Sequence, residues 1–156
     1  MFDSEEFERR RWRVVAVAHA ERMRALVEFL RRQRDNLAGW RLLTTPDIAD
    51  AIGPDRVLSM RSVVPAAWDV DPWLRSRLAA GEIDALIILR DPHQIPMDEP
   101  APTVHQLADT LGIPIATNVA TAACVIAGLG SRPGAPASPR HARAGSENGP
   151  RIAAVL

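Results

Sequence analysis

Asp84-Ala85-Leu86-Ile87-Ile88-Leu89-Arg90-Asp91-Pro92 is an apolar run that stops at a carboxylate and a proline. It is too short to cross a membrane, and its unbroken Ala, Leu and Ile predict a central parallel strand buried on both faces. Asp91 then stands at the carboxyl end of that strand. Open α/β sheets bind their ligands outside the carboxyl ends of their strands, so the position alone makes Asp91 a candidate for chemistry.

The pieces on either side repeat the same logic. Upstream, Arg13 to Ala18 is a β-branched apolar run ending at His19, which predicts a first buried strand with a histidine at its tip. Met23, Leu26, Val27, Leu30 and Leu37 recur at helical spacing, predicting an amphipathic helix from Glu21 to Leu37. Trp40 to Thr44 reads as a second strand, with Thr45 capping a helix whose first turn holds Pro46 and which Gly53-Pro54 ends. Arg56 to Met60 reads as a third, edge-like strand, and Ser62 to Asp71 as a loop. A helix from Pro72 to Leu78, stopped by Gly81, leads into the central strand.

Downstream, a loop rich in proline and acid precedes a helix from Thr103 to Leu111 ended by Gly112. Ile113 to Asn118 is a strand that tolerates Pro114 near its start, and Ala120 to Leu129 is a small, apolar helix expected against the sheet. About five strands alternating with helices predict a three-layer, doubly wound α/β domain with a mostly parallel sheet over residues 13–130. Residues 1–12 form a lead-in, and the Pro, Gly, Ala and Arg of 131–156 predict a disordered tail.

Composition narrows the function. The 156 residues suffice for one core, and the formal net charge of +0 argues against a nucleic-acid backbone or an anionic membrane as partner. All basic residues in the Lys+Arg total of 19 are arginine, which removes Schiff-base and P-loop lysine chemistry and leaves Arg, hydroxyls or backbone N–H groups to hold any phosphate. The one cysteine, Cys124, lies among Ala, Val and Ile and is expected to be a small buried hydrophobe, consistent with a reducing cytoplasm.

The order of these pieces, with Val15-Ala16-Val17-Ala18-His19, Gly81-Glu82-Ile83-Asp84, Asp91-Pro92 and Ile113-Pro114-Ile115-Ala116-Thr117-Asn118, resembles the methylglyoxal synthase family over roughly Arg13 to Leu129. That resemblance implies conversion of dihydroxyacetone phosphate to methylglyoxal and phosphate by a cytoplasmic homo-oligomer, typically a hexamer, without metal or other cofactor. Carried over by position, His19, Asp71 and Asp91 are the catalytic candidates, with Asp71 as the base. Thr44, Thr45, Arg22, Thr117 and Asn118 are the substrate-binding candidates.

Departures from the family pattern set a second expectation. Thr44-Thr45-Pro46-Asp47-Ile48 stands where the family has a glycine-rich phosphate loop, so Pro46 removes an N–H donor and Asp47 adds a like charge. Two unit charges about 4 Å apart at a surface repel by roughly 4 kcal/mol. Val64 to Val70 replaces a glycine-rich segment before Asp71, and Met97 stands where the family has its second histidine. A degenerate site that binds a small phosphorylated metabolite with weak or no lyase activity is therefore expected. An active lyase and a non-catalytic regulatory or assembly module are the alternatives. Each residue also has a plain reading: His19 bonding backbone, Asp71 as an N-cap before Pro72, Asp91 satisfying loop N–H groups.

Overall fold

The computed structural model describes residues 12–62, 64–65, 70–91, 93 and 102–131. The lead-in before Trp12, most of the segment from 63 to 69, Met97 and the tail after Ser131 lie outside them. The strands are β1 (Arg13–Ala18), β2 (Arg41–Leu43), β3 (Ser59–Arg61), β4 (Ala85–Leu89) and β5 (Ile115–Ala116). The helices are α1 (Met23–Arg32), α2 (Pro46–Ile52), α3 (Val70–Ala79), α4 (Val104–Leu111) and α5 (Val119–Gly130). A 3-10 turn, Ala20–Arg22, joins β1 to α1.

The sheet order is β3-β2-β1-β4-β5, and every neighbouring pair is parallel. The chain moves outward from β1 to β3, returns to the other side of β1 as β4, and continues to β5. Right-handed crossovers place helices on opposite faces when the direction of winding reverses, so α1 and α2 cover one face and α3 and α4 the other. The buried residues divide accordingly. Val14, Ala16, Ala85, Ile87 and Leu89 pack with Leu26, Leu30 and Ile48 of α1 and α2 and with Ile126 of α5. Val15, Val17, Leu86 and Ile88 pack with Leu74, Leu78, Val104 and Ala108 of α3 and α4. Every residue of β4 is buried, as the unbroken apolar run predicts for a strand covered on both sides.

At the amino end of the sheet an ion pair joins the two central strands. Asp84 is 2% exposed and accepts hydrogen bonds from the Arg13 backbone N–H at 2.9 Å and from its Nε at 3.1 Å. Arg13 Nη2 also donates to the Gly81 carbonyl at 2.7 Å.

Several local expectations need correction. The helix expected over Glu21 to Leu37 is a 3-10 turn plus α1, and turns carry the chain from Gln33 to Leu37, whose N–H reaches the Gln33 carbonyl at 3.0 Å. Helix α3 begins at Val70, ahead of Pro72, so Asp71 lies in its first turn and is not its N-cap. There it still complements the helix dipole. Cys124 is exposed, because α5 turns Ala122, Ile126 and Leu129 inward instead. Val64 does lie outside every helix and strand, as expected, yet it is 1% exposed, and its N–H bonds the Thr44 carbonyl at 3.1 Å.

Candidate functional site

The reversal between β1 and β4 is the topological switch point of the sheet, and the candidate residues collect at the carboxyl ends of these two strands. Ala18 pairs with Leu89 in register, and the His19 N–H continues the ladder to the Leu89 carbonyl at 2.9 Å. The contact is then returned: the Asp91 N–H donates to His19 Nδ1 at 3.2 Å. With Nδ1 used as an acceptor, the neutral ring carries its proton on Nε2.

Asp91 is 8% exposed, and its Oδ1 accepts the His93 N–H at 2.9 Å in a tight Asx-type turn. That N–H holds the carboxyl below the ordinary carboxylate range against the opposing effect of burial, helped by the neighbouring Glu21 side chain and by the nearby charges of His93 and Arg22. Asp91 is therefore ionised at neutral pH. Glu21 and Arg22 both belong to the 3-10 turn that follows His19.

Asp71 reaches the same edge from α3. Its Oδ1 lies 3.3 Å from Nη2 of Arg90, the residue between β4 and Asp91. The Asp71 side chain is 42% exposed and that of Arg90 20%. Thus His19 and Asp91 are hydrogen-bonded to each other, the charge of Arg22 acts on Asp91, and Asp71 is tied to the same strand end through Arg90.

The remaining candidates sit on flanking strands with other work to do. Thr44 is 1% exposed and its hydroxyl donates to the Ala16 carbonyl at 2.8 Å, so its donor is turned into the sheet. Thr45 precedes α2 in extended backbone without a side-chain cap bond, and Pro46 and Asp47 after it are exposed. A solvent-facing Asp47 repels an anion less than one turned toward it. Asn118 caps α5, accepting the Thr121 N–H at 2.9 Å, and exposed Thr117 stands beside it. No group of three or more His, Cys, Asp or Glu among the described residues converges to hold a metal ion.

An open cavity of about 610 Å³ lies away from this edge, lined by Gln33, Asp35, Asn36, Ala123, Ile126 and Gly130. Helices that follow parallel strands run back along them, so the turn after α1 and the end of α5 belong to the amino end of the sheet. The cavity therefore carries no part of the site.

Glu21 is the residue that reading by position passes over. Its signal is symmetry: Glu21 stands two residues after His19 and Asp91 two after Leu89, while His19 and Leu89 are hydrogen-bonded across the two strands.

No family model matches the chain. Individual relatives do. Methylglyoxal synthase of Cupriavidus metallidurans is 31% identical over 118 residues, spanning 75% of this chain and 84% of that protein. Methylglyoxal synthase of Rhizobium rhizogenes is 32% identical over 114 residues, spanning 70% of this chain and 88% of that protein. The crystal structure of methylglyoxal synthase from Elizabethkingia anophelis superposes with a TM-score of 0.64 at 25% identity, covering 80% of each chain. Relatives at 31% and 32% identity over most of both lengths, together with the likeness to a solved methylglyoxal synthase, show where the chain belongs: it is a member of the methylglyoxal synthase family.

Proposed function

We propose that this protein binds a small phosphorylated carbonyl compound of the dihydroxyacetone phosphate kind at the carboxyl edge of β1 and β4, and that its carbon–oxygen lyase activity is weak or absent. The observation that carries the reading is the engagement of both aspartates. A base that removes a proton beside a carbonyl works best with a pKa near the operating pH. Asp91 is displaced away from neutrality, bound by the His93 N–H, and Asp71 is paired with Arg90. Pro46, where a glycine-rich phosphate loop would offer a backbone N–H, supports the same reading. Arg22 and the His19 Nε2–H are the cationic and neutral donors offered to phosphate and carbonyl oxygens, with Thr45 and Thr117 at the margins.

The second reading is an active synthase. It is favoured by relatives named methylglyoxal synthase over most of their length and by the presence of His19, Asp71 and Asp91 at one sheet edge. In that reading Asp71 takes the proton next to the carbonyl, an enediolate forms, and phosphate leaves. Either reading includes a cytoplasmic homo-oligomer, supported by α5, which has no charged residue and exposes Val119.

Incubating the full chain with dihydroxyacetone phosphate separates the two. The expected result is a rise in melting temperature of several degrees at about 100 times Kd, where binding contributes about 2.7 kcal/mol. Phosphate release should stay near the uncatalysed rate. Rapid release that falls by about 10²- to 10⁴-fold in Asp71→Asn would establish the synthase instead.

A further inference from the structure

Arg90 follows β4 at the tip of the central strand, and the sheet decides which way it leaves. Side chains alternate along a strand. Leu86 and Ile88 pack toward α3 and α4, so Arg90, two residues past Ile88, emerges on the same side, where its Nη2 meets Asp71 Oδ1 at 3.3 Å. Asp71 lies in the first turn of α3, a helix that starts at the carboxyl edge. Strong charge-assisted contacts of a guanidinium are shorter, about 2.7 to 2.9 Å. At 3.3 Å, with the Asp71 side chain 42% exposed, the carboxylate is an exchangeable partner for Arg90.

Across the edge, the loop before α2 offers an anion little. Pro46 has no N–H, and the Thr44 hydroxyl is turned to the Ala16 carbonyl at 2.8 Å. The chain has no lysine, so the cation that meets a phosphate is an arginine.

We propose that Arg90 is the seat of the ligand's phosphate, and that Asp71 fills this seat in the unliganded protein, its carboxylate standing where a phosphate oxygen goes. Resting on the phosphorylated-ligand reading above, this places the phosphate at the tip of β4 instead of at the loop between β2 and α2. Phosphate carries more charge than a carboxylate, and the planar fork of a guanidinium holds two of its oxygens at once, so the exchange favours the ligand. A phosphate seated there lies against Asp71, and the carboxylate then faces an anion instead of the carbon acid, in keeping with weak lyase chemistry.

Inorganic phosphate, which undergoes no turnover, is the first probe, titrated by calorimetry into the full chain, and dihydroxyacetone phosphate is the second. Arg90→Gln should bind both about 10- to 100-fold more weakly, as expected for a lost hydrogen bond to a charged group. Arg90→Lys keeps the charge without the fork and should fall between Arg90→Gln and the natural protein. Asp71→Asn removes the competing carboxylate and should bind inorganic phosphate about fivefold more tightly, the most that an exposed ion pair usually contributes. That gain should vanish when Arg90→Gln is added, an outcome that a purely structural Arg90 would not produce. Phosphate bound as tightly by Arg90→Gln as by the natural protein, or a gain in Asp71→Asn that survives without Arg90, overturns the seat. If Arg90→Gln does not fold, an Asp71→Asn affinity that is unchanged or lowered overturns it. Binding of neither probe by the natural protein or by Asp71→Asn overturns the phosphorylated-ligand reading itself, and the seat with it.

Discussion

Thr44 illustrates how a residue can stand at the right place and face the wrong way. It follows β2 at the carboxyl edge, yet its hydroxyl is buried against the Ala16 carbonyl of β1. Removing a buried hydrogen bond of this kind costs about 1 kcal/mol. Thr44→Val should therefore melt a few degrees lower while its affinity for dihydroxyacetone phosphate stays within twofold of the natural protein. Lost affinity at unchanged melting temperature would make the hydroxyl a ligand contact. The sequence placed Thr44, His19 and Asp91 at one sheet edge, because strand ends follow from apolar runs, and the family resemblance added Asp71. It did not fix what each side chain bonds. The contact of Asp91 with His19 depends on the register of β1 against β4, and Glu21 has no motif at all, only its offset from that register.

Among the elements, the central strands were the most legible and the ends of helices the least. A run such as Ala85 to Leu89 has one low-energy use, whereas Leu37 keeps the helical spacing of α1 but is buried from a series of turns after the helix has ended at Arg32. The link between α1 and β3 shows what such turns are for. Asp55 accepts the Val57 N–H at 2.7 Å and the Leu58 N–H at 3.0 Å, and Arg34, just past α1, donates to its other oxygen at 2.8 Å. The Leu58 and Val57 N–H groups, then Arg34, lower its pKa from 3.8 to about 2. A folded-state pKa below the unfolded one adds stability that is present above the unfolded value and lost as pH falls through the folded one. Asp55→Ala should accordingly unfold at lower urea than the natural protein at pH 7. The difference in midpoints should close between pH 4 and pH 2, and a gap unchanged across that range would assign the effect to the loop's shape instead of its charge.

At the scale of the molecule, the sheet separates two apolar cores, and neighbouring residues of β4 belong to different ones. Ile87 packs toward α1, α2 and α5, and Ile88 toward α3 and α4. This division was implicit in the order of strands, since reversing the winding at the switch point moves the helices to the other face, and the same reversal opens the crevice where Asp91 sits. Side chains that share a core repack together when one is trimmed, whereas those divided by a hydrogen-bonded sheet do not. Ile87→Val, Ile88→Val and Ile113→Val should each cost about 1 kcal/mol in urea unfolding. The double variant of Ile87 and Ile88 should equal the sum of its singles within about 0.5 kcal/mol although the residues are adjacent in the chain. Ile88 and Ile113, distant in sequence but in one core, should depart from additivity by more than that. The opposite pattern would mean that strain passes through β4 and that the two faces form a single cooperative core.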